Sequence, residues 1–155
     1  MTTKGKQWIE GHPETLPVLS IEQMKQDILW YVAQYDYVSL AELARRYGAQ
    51  AQGDHAIEIQ ENLLIWANIS GTFSDALLQL RKEGAIHIHP SSVLVYFVDG
   101  MTLKFPIAKR PPPGGYKEPH WIPVTLRPGP FCRANDCPKR LIERGNKRQQ
   151  SSKHN

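Results

Sequence analysis

Long apolar runs are missing from this sequence. No stretch approaches the roughly 18–20 uncharged apolar residues that a membrane span needs, so no membrane partner is expected. The opening residues, Met1 to Glu14, hold no apolar block either. That argues against a secretory signal and makes a cytoplasmic location the expectation. Cysteine is scarce: Cys132 and Cys137 are the only two, too few for a disulfide framework. A glycine-rich phosphate loop, a Gly-x-Ser-x-Gly elbow and a His-Glu-x-x-His helix are all absent. Cys132 and His120 can be paired as nucleophile and base on paper, but no third group is placed to orient them. The expectation is a non-enzymatic chain with no cofactor.

What is present is enough apolar material for one core. The chain has 155 residues, 41% of them hydrophobic and 22% charged, which suits a single domain with tails. The net charge of +4 conceals a polarity. Residues 1–50 carry five Lys/Arg against six Asp/Glu, residues 51–100 two against six, and residues 101–155 twelve against three. A mildly acidic front thus precedes a strongly basic last third, an argument about partners and solubility rather than fold.

Residues 1–19 read as an irregular arm, with Gly5, Gly11, Pro13 and Pro17 and no apolar period. Ser20 and Gln23 form a capping-box pair ahead of Ile21, Met24, Ile28, Tyr31, Val32 and Tyr35, which predicts a helix over 21–35. Ser39 and Glu42 open a second, shorter helix that Gly48 ends. His55 to Gln60 alternates as a short strand, and Asn62 to Ile69 reads as a buried helical turn or two, or as a strand. Thr72 is placed to cap a third helix over 73–83, with Phe73, Ala76, Leu77 and Leu80 inward. Ile86 and Ile88 then alternate with His87 and His89 on a strand. Val93 to Val98, the turn signal Asp99-Gly100 and Met101 to Ile107 predict a β-hairpin. Residues 108–131 form a proline- and glycine-rich basic extension. Its segment His120 to Leu126 is expected at most at a sheet edge, because Pro119, Pro123 and Pro128 interrupt it. Residues 132–155 read as a basic, disordered tail with one helical turn near Leu141.

Two stretches carry a resemblance. Val38-Ser-Leu-Ala-Glu-Leu-Ala-Arg-Arg-Tyr-Gly48 looks like the scaffold helix of bacterial regulators. Phe73-Ser-Asp-Ala-Leu-Leu-Gln-Leu-Arg-Lys-Glu-Gly-Ala-Ile86 looks like their third helix running into a wing. Over residues 20–107 the element order resembles the winged helix-turn-helix superfamily. The expected class is therefore α+β: a winged-helix-like three-helix core with a C-terminal β-hairpin and a proline-rich basic extension. The stretch Ala49 to Thr72 is long for the turn of such a motif. Either the domain is elaborated there, or Asn62 to Ile69 is the true scaffold helix.

The resemblance implies nucleic-acid binding, with double-stranded DNA as the expected partner of a small regulator or accessory factor. The third helix would present Ser74, Asp75, Gln79, Arg81, Lys82 and Glu83 outward, with Gln79, Arg81 and Lys82 nearest the DNA. Two cations against two carboxylates make a weak footprint for phosphates. The extension is stronger: Lys104, Lys109, Arg110, Lys117 and Arg127 interleave with Tyr116, His120 and Trp121, offering charge to phosphates and stacking faces to bases. The competing account is a protein-interaction module, a subunit of a larger complex or a homodimer, with an ordinary solvated helix face and a solubilising tail. Cys132 and Cys137 could bind zinc only if His87, His89 or His120 completed the set. Without a second cysteine pair no metal is assigned, and His87 and His89 are expected at the surface.

Overall fold

A computed structural model describes residues 17–132. Helix α1 spans Ile21–Tyr35. Its start is local chemistry: Ser20 Oγ accepts from the Gln23 N–H, and the Gln23 side chain accepts from the Ser20 N–H. Strand β1, Val38–Ser39, runs straight into helix α2, Leu40–Tyr47, because Ser39 Oγ caps that helix through the Glu42 N–H. A 3-10 turn over Gly48–Ala51 leads into strand β2, Gln52–Gln60, and strand β3, Leu63–Ile69. Of the two readings open for residues 62–69, the strand is the one found. Every side chain from Leu63 to Ala67 is buried, so the run lacks the alternation that would have marked it. Asn62, between the two strands, takes φ 60°, which asparagine tolerates better than most residues.

Helix α3, Gly71–Lys82, buries Phe73, Ala76, Leu77 and Leu80 as expected. Its cap is Ser70 rather than Thr72: Ser70 Oγ accepts from the Phe73 N–H. Strand β4, Ile86–Pro90, follows, and then the main departure. Val93–Asp99 is a helix, α4, not the first arm of a hairpin. Ser92 caps it through the Leu94 N–H, and Gly100 ends it with φ 85°. The Asp99-Gly100 pair therefore serves as a helix C-terminus, where one positive φ suffices, whereas the hairpin turn needs two. Tyr96 anchors this helix to the rest of the fold. Fully buried, it donates its hydroxyl to the Val124 carbonyl and accepts from the Leu40 N–H.

Two short strands close the fold, β5 (His120–Trp121) and β6 (Val124–Pro128). One sheet has the order β1-β6-β4 and is antiparallel throughout; the other, β2-β3-β5, joins β5 to β3 in parallel. Strand β6 is thus central in its sheet, contrary to the edge position expected from its prolines. Pro123 precedes it and Pro128 is its last residue, so Thr125–Arg127 remain free to pair on both sides. Between the sheets and α1–α3 lies one core whose largest fully buried side chains include Trp121, Tyr31, Tyr96 and Phe73. Trp66, Tyr96 and Trp121 form an aromatic cluster with ring centroids 5.0–6.1 Å apart, which fastens α4 and β5 to β3.

Candidate nucleic-acid interface

A phosphate-binding surface needs cations that are exposed and not already neutralised. Lys25 of α1 is not one of them. Its Nζ lies 2.6 Å from Glu83 and 3.2 Å from Gln79 Oε1, crossing from α1 to α3. The Glu83 carboxylate outweighs the cost of burial and holds this ammonium above the usual lysine range. The same contacts occupy Gln79, which was expected to face bases. Ser74, also expected outward, is 4% exposed because it packs on the inner half of α3. Arg81 and Lys82, at the C-terminal end of α3, remain exposed, beside Asp75 and the half-exposed Leu78.

Arg46 and Arg127 are likewise committed. Arg46 grips Asp27 through Nε and Nη2 at 2.8 and 3.0 Å and lies over the Tyr31 ring. Burial, and then the charge of Asp27, pushes the neighbouring Tyr47 phenol far above its usual range, so it stays neutral. Arg127, expected to hold phosphate, instead binds Asp36 with Nε and Nη2, each at 3.0 Å, and donates from Nη1 to Cys132 Sγ at 3.0 Å. Burial alone would raise the Asp36 carboxyl. The guanidinium, the Tyr37 N–H and nearby positive charge outweigh it and hold that carboxyl below its ordinary value.

The segment from Leu103 to Glu118 behaves differently. Lys104, Lys109, Arg110 and Lys117 are all exposed, and none forms an ion pair among the described residues. Backbone bonds pin both ends of the loop that carries most of them. The Ala108 N–H donates to the Trp121 carbonyl, the Trp121 N–H to Pro106, and the His120 N–H to Asn62, each at 2.8 Å. Asn62 Nδ2 also donates to the Tyr116 carbonyl. Tyr116 stacks on His120 with centroids 3.7 Å apart and an interplanar angle of 15°. Trp121, expected to be a third stacking face, is 1% exposed in the aromatic cluster and offers none.

Sequence reasoning missed the polar face of the β1-β6-β4 sheet. His87 and His89 are each 9% exposed, not surface residues. The Asp36–Tyr37 corner and the chain after β6 cover them: Tyr37 meets His89 edge-on, and His87 Nδ1 bonds the Gly129 carbonyl. Alternation with Ile86 and Ile88 looks the same whether the polar face meets water or other protein. Of the ligands considered for zinc, His89 Nδ1 comes within 3.4 Å of Cys132 Sγ, while His120 belongs to the other sheet. Cys137 and the basic tail from Arg133 onward lie outside the described residues, as does the arm before Pro17. No group of three potential metal ligands occurs among the described residues, and no described helix is long and apolar enough to cross a membrane. Compared with protein-family models, with curated proteins and with solved structures, the chain matches none.

Proposed function

We propose that the chain is a nucleic-acid-binding protein of winged-helix type, a small regulator or accessory factor acting on duplex DNA. The observation that carries this reading is the set of exposed, unpaired cations Lys104, Lys109, Arg110 and Lys117 between β4 and β6. Those strands are antiparallel neighbours that follow α3, an order that supports reading residues 91–123 as an enlarged wing. On this reading the wing is enlarged by α4 and β5, and the hairpin β2–β3 is an elaboration between the second and third helices. Arg81 and Lys82 extend the basic surface toward α3, and the Tyr116–His120 stack supplies an aromatic face.

Fluorescence anisotropy with random-sequence duplex at about 50 and 200 mM salt tests it. Binding is expected at the lower salt and steep weakening at the higher. Replacing Lys109 and Arg110 with Ala should reduce the salt slope by about two phosphate-equivalents. An unchanged slope would remove the loop from the interface. A second reading, the protein-interaction module, draws on a specific feature: Leu94, Phe97 and Val98 of α4 are 65%, 61% and 84% exposed. Absence of DNA binding at low salt would make that reading the leading one.

A further inference from the structure

Helix α4 carries more apolar surface than the fold uses. Its residues Val93 to Val98 hold no charge, and only Tyr96 among them is fully buried. Leu94, Phe97 and Val98 are 65%, 61% and 84% exposed. Their spacing of i, i+3 and i+4 gathers the three on one side of the helix, away from Tyr96. The inner side is held in place. Tyr96 donates to the Val124 carbonyl, Ser39 Oγ to the Asp99 carboxylate, and Arg45 Nη1 to the Asp99 carbonyl at 2.7 Å. The outward stripe is therefore a fixed surface, which docks without the cost of ordering a loop.

Charge and area together name the occupant. An uncharged stripe is buried favourably only against another uncharged surface, because a charge facing it would be left unpaired. Helix α4 carries three of the nine large apolar side chains exposed among the described residues, and no other element carries more than one. The matching surface on this molecule is thus the same stripe of a second copy, which gives a closed two-fold contact rather than an open head-to-tail one. With the half-buried Val93, Val95 and Met101 that flank them, side chains of this size present roughly 500 Å². Two copies then bury roughly 1,000 Å², the lower bound of a specific interface. We propose that α4 forms the contact of a symmetric, reversible homodimer, in which Leu94, Phe97 and Val98 of one copy pack against the same residues of the other. The contact does not require the loop cations to bind DNA. Where they do, the two-fold doubles the phosphate-binding surface.

Sedimentation equilibrium of the full chain, loaded at about 1–500 µM, reads this contact directly. A monomer–dimer equilibrium is expected with a Kd of roughly 1–100 µM. It should hold between about 50 and 500 mM salt, because no ion pair forms the contact. Phe97→Glu and, separately, Val98→Glu should each weaken the dimer by about tenfold or more, since each sets two carboxylates into an apolar core. Both positions are exposed, so circular dichroism and Tm should match wild type. If Phe97→Glu unfolds the chain, Val98→Glu, at the more exposed position, decides the matter. Lys109→Ala/Arg110→Ala should leave the dimer constant unchanged, which separates this contact from association bridged by a polyanion. A chain that stays monomeric at every concentration overturns the proposal, and so does a dimer indifferent to both glutamate variants. Association that continues beyond the dimer would reveal a head-to-tail contact and overturns it as well.

Discussion

Cations of the helical body and cations of the segment between β4 and β6 keep opposite electrostatic company. In the body Lys25 meets Glu83, Arg46 meets Asp27 and Arg127 meets Asp36, at 2.6, 2.8 and 3.0 Å. Arg45 donates to the Asp99 carbonyl. Arg81 and Lys82 are the exceptions there among the described residues. In the segment Lys104, Lys109, Arg110 and Lys117 point into solvent without a carboxylate. Aromatic burial and backbone bonds at Tyr96, Trp121 and Ala108 hold that segment in place. The difference separates two uses of positive charge: inside the body it balances a buried or half-buried carboxylate, and on the loop it is left over for a partner.

Breaking the body's half of the comparison should cost most. The Arg46 and Asp27 side chains are 1% and 11% exposed. Removing one partner of such a pair leaves an uncompensated buried charge, a loss of about 3–5 kcal/mol. Arg46→Ala also uncovers the Tyr31 and Trp30 rings beneath the guanidinium. Urea unfolding should show the loss as a lower midpoint. A change below about 0.5 kcal/mol would mean that this cation is as dispensable as those of the loop.

Asp36 occupies the middle ground, half-exposed yet bound bidentately to Arg127. An exposed pair is worth up to about 1 kcal/mol, or roughly 2–4 °C for a chain of this size. Asp36→Asn should lower Tm by that amount at pH 7. The backbone, at φ 50° and ψ 161°, is strained for either residue, and because Asp and Asn have the same side-chain shape that strain cancels in the comparison. The folded carboxyl lies below its ordinary value of about 3.9. Its stabilisation is therefore complete above that pH and is lost as pH falls through the folded value. Thermal melts at pH 7 and pH 3 should show the gap between wild type and Asp36→Asn closing on the acid side. A gap that persists in acid would assign the effect to shape rather than charge.

Elements governed by neighbours in sequence were legible, and those governed by neighbours in space were not. Ser20 with Gln23 and Ser39 with Glu42 announce their helices because the capping partners are three residues apart. Val93–Asp99 reads as a strand from its β-branched residues; its helix has local caps in Ser92 and Gly100, but the contacts that seat it, from the Tyr96 hydroxyl to the Leu40 and Val124 backbones, are distant in sequence. The basic loop was legible as charge, and Lys104, Lys109, Arg110 and Lys117 are indeed exposed. Nothing local to Arg127 signals Asp36, 91 residues earlier in the chain. His87 and His89 were hidden for the same reason, since their cover comes from Tyr37 and the turn after β6.

The smallest expected effect tests the loop's half of the comparison. Lys109 and Arg110 touch no carboxylate, and the bonds that position their loop are made by backbone groups at Pro106, Ala108, His120 and Trp121. Lys109→Ala/Arg110→Ala therefore removes charge without removing a native contact, and stability should stay within about 0.5 kcal/mol of wild type. Mutual repulsion between the two neighbouring cations would even favour a slight gain, largest at low ionic strength. Urea midpoints for wild type and variant, taken at about 20 and 500 mM salt, resolve the sign. A loss of 1–2 kcal/mol or more would mean that these cations hold the fold together as Arg46 does. The division between structural and available charge would then not fall at the boundary between body and loop.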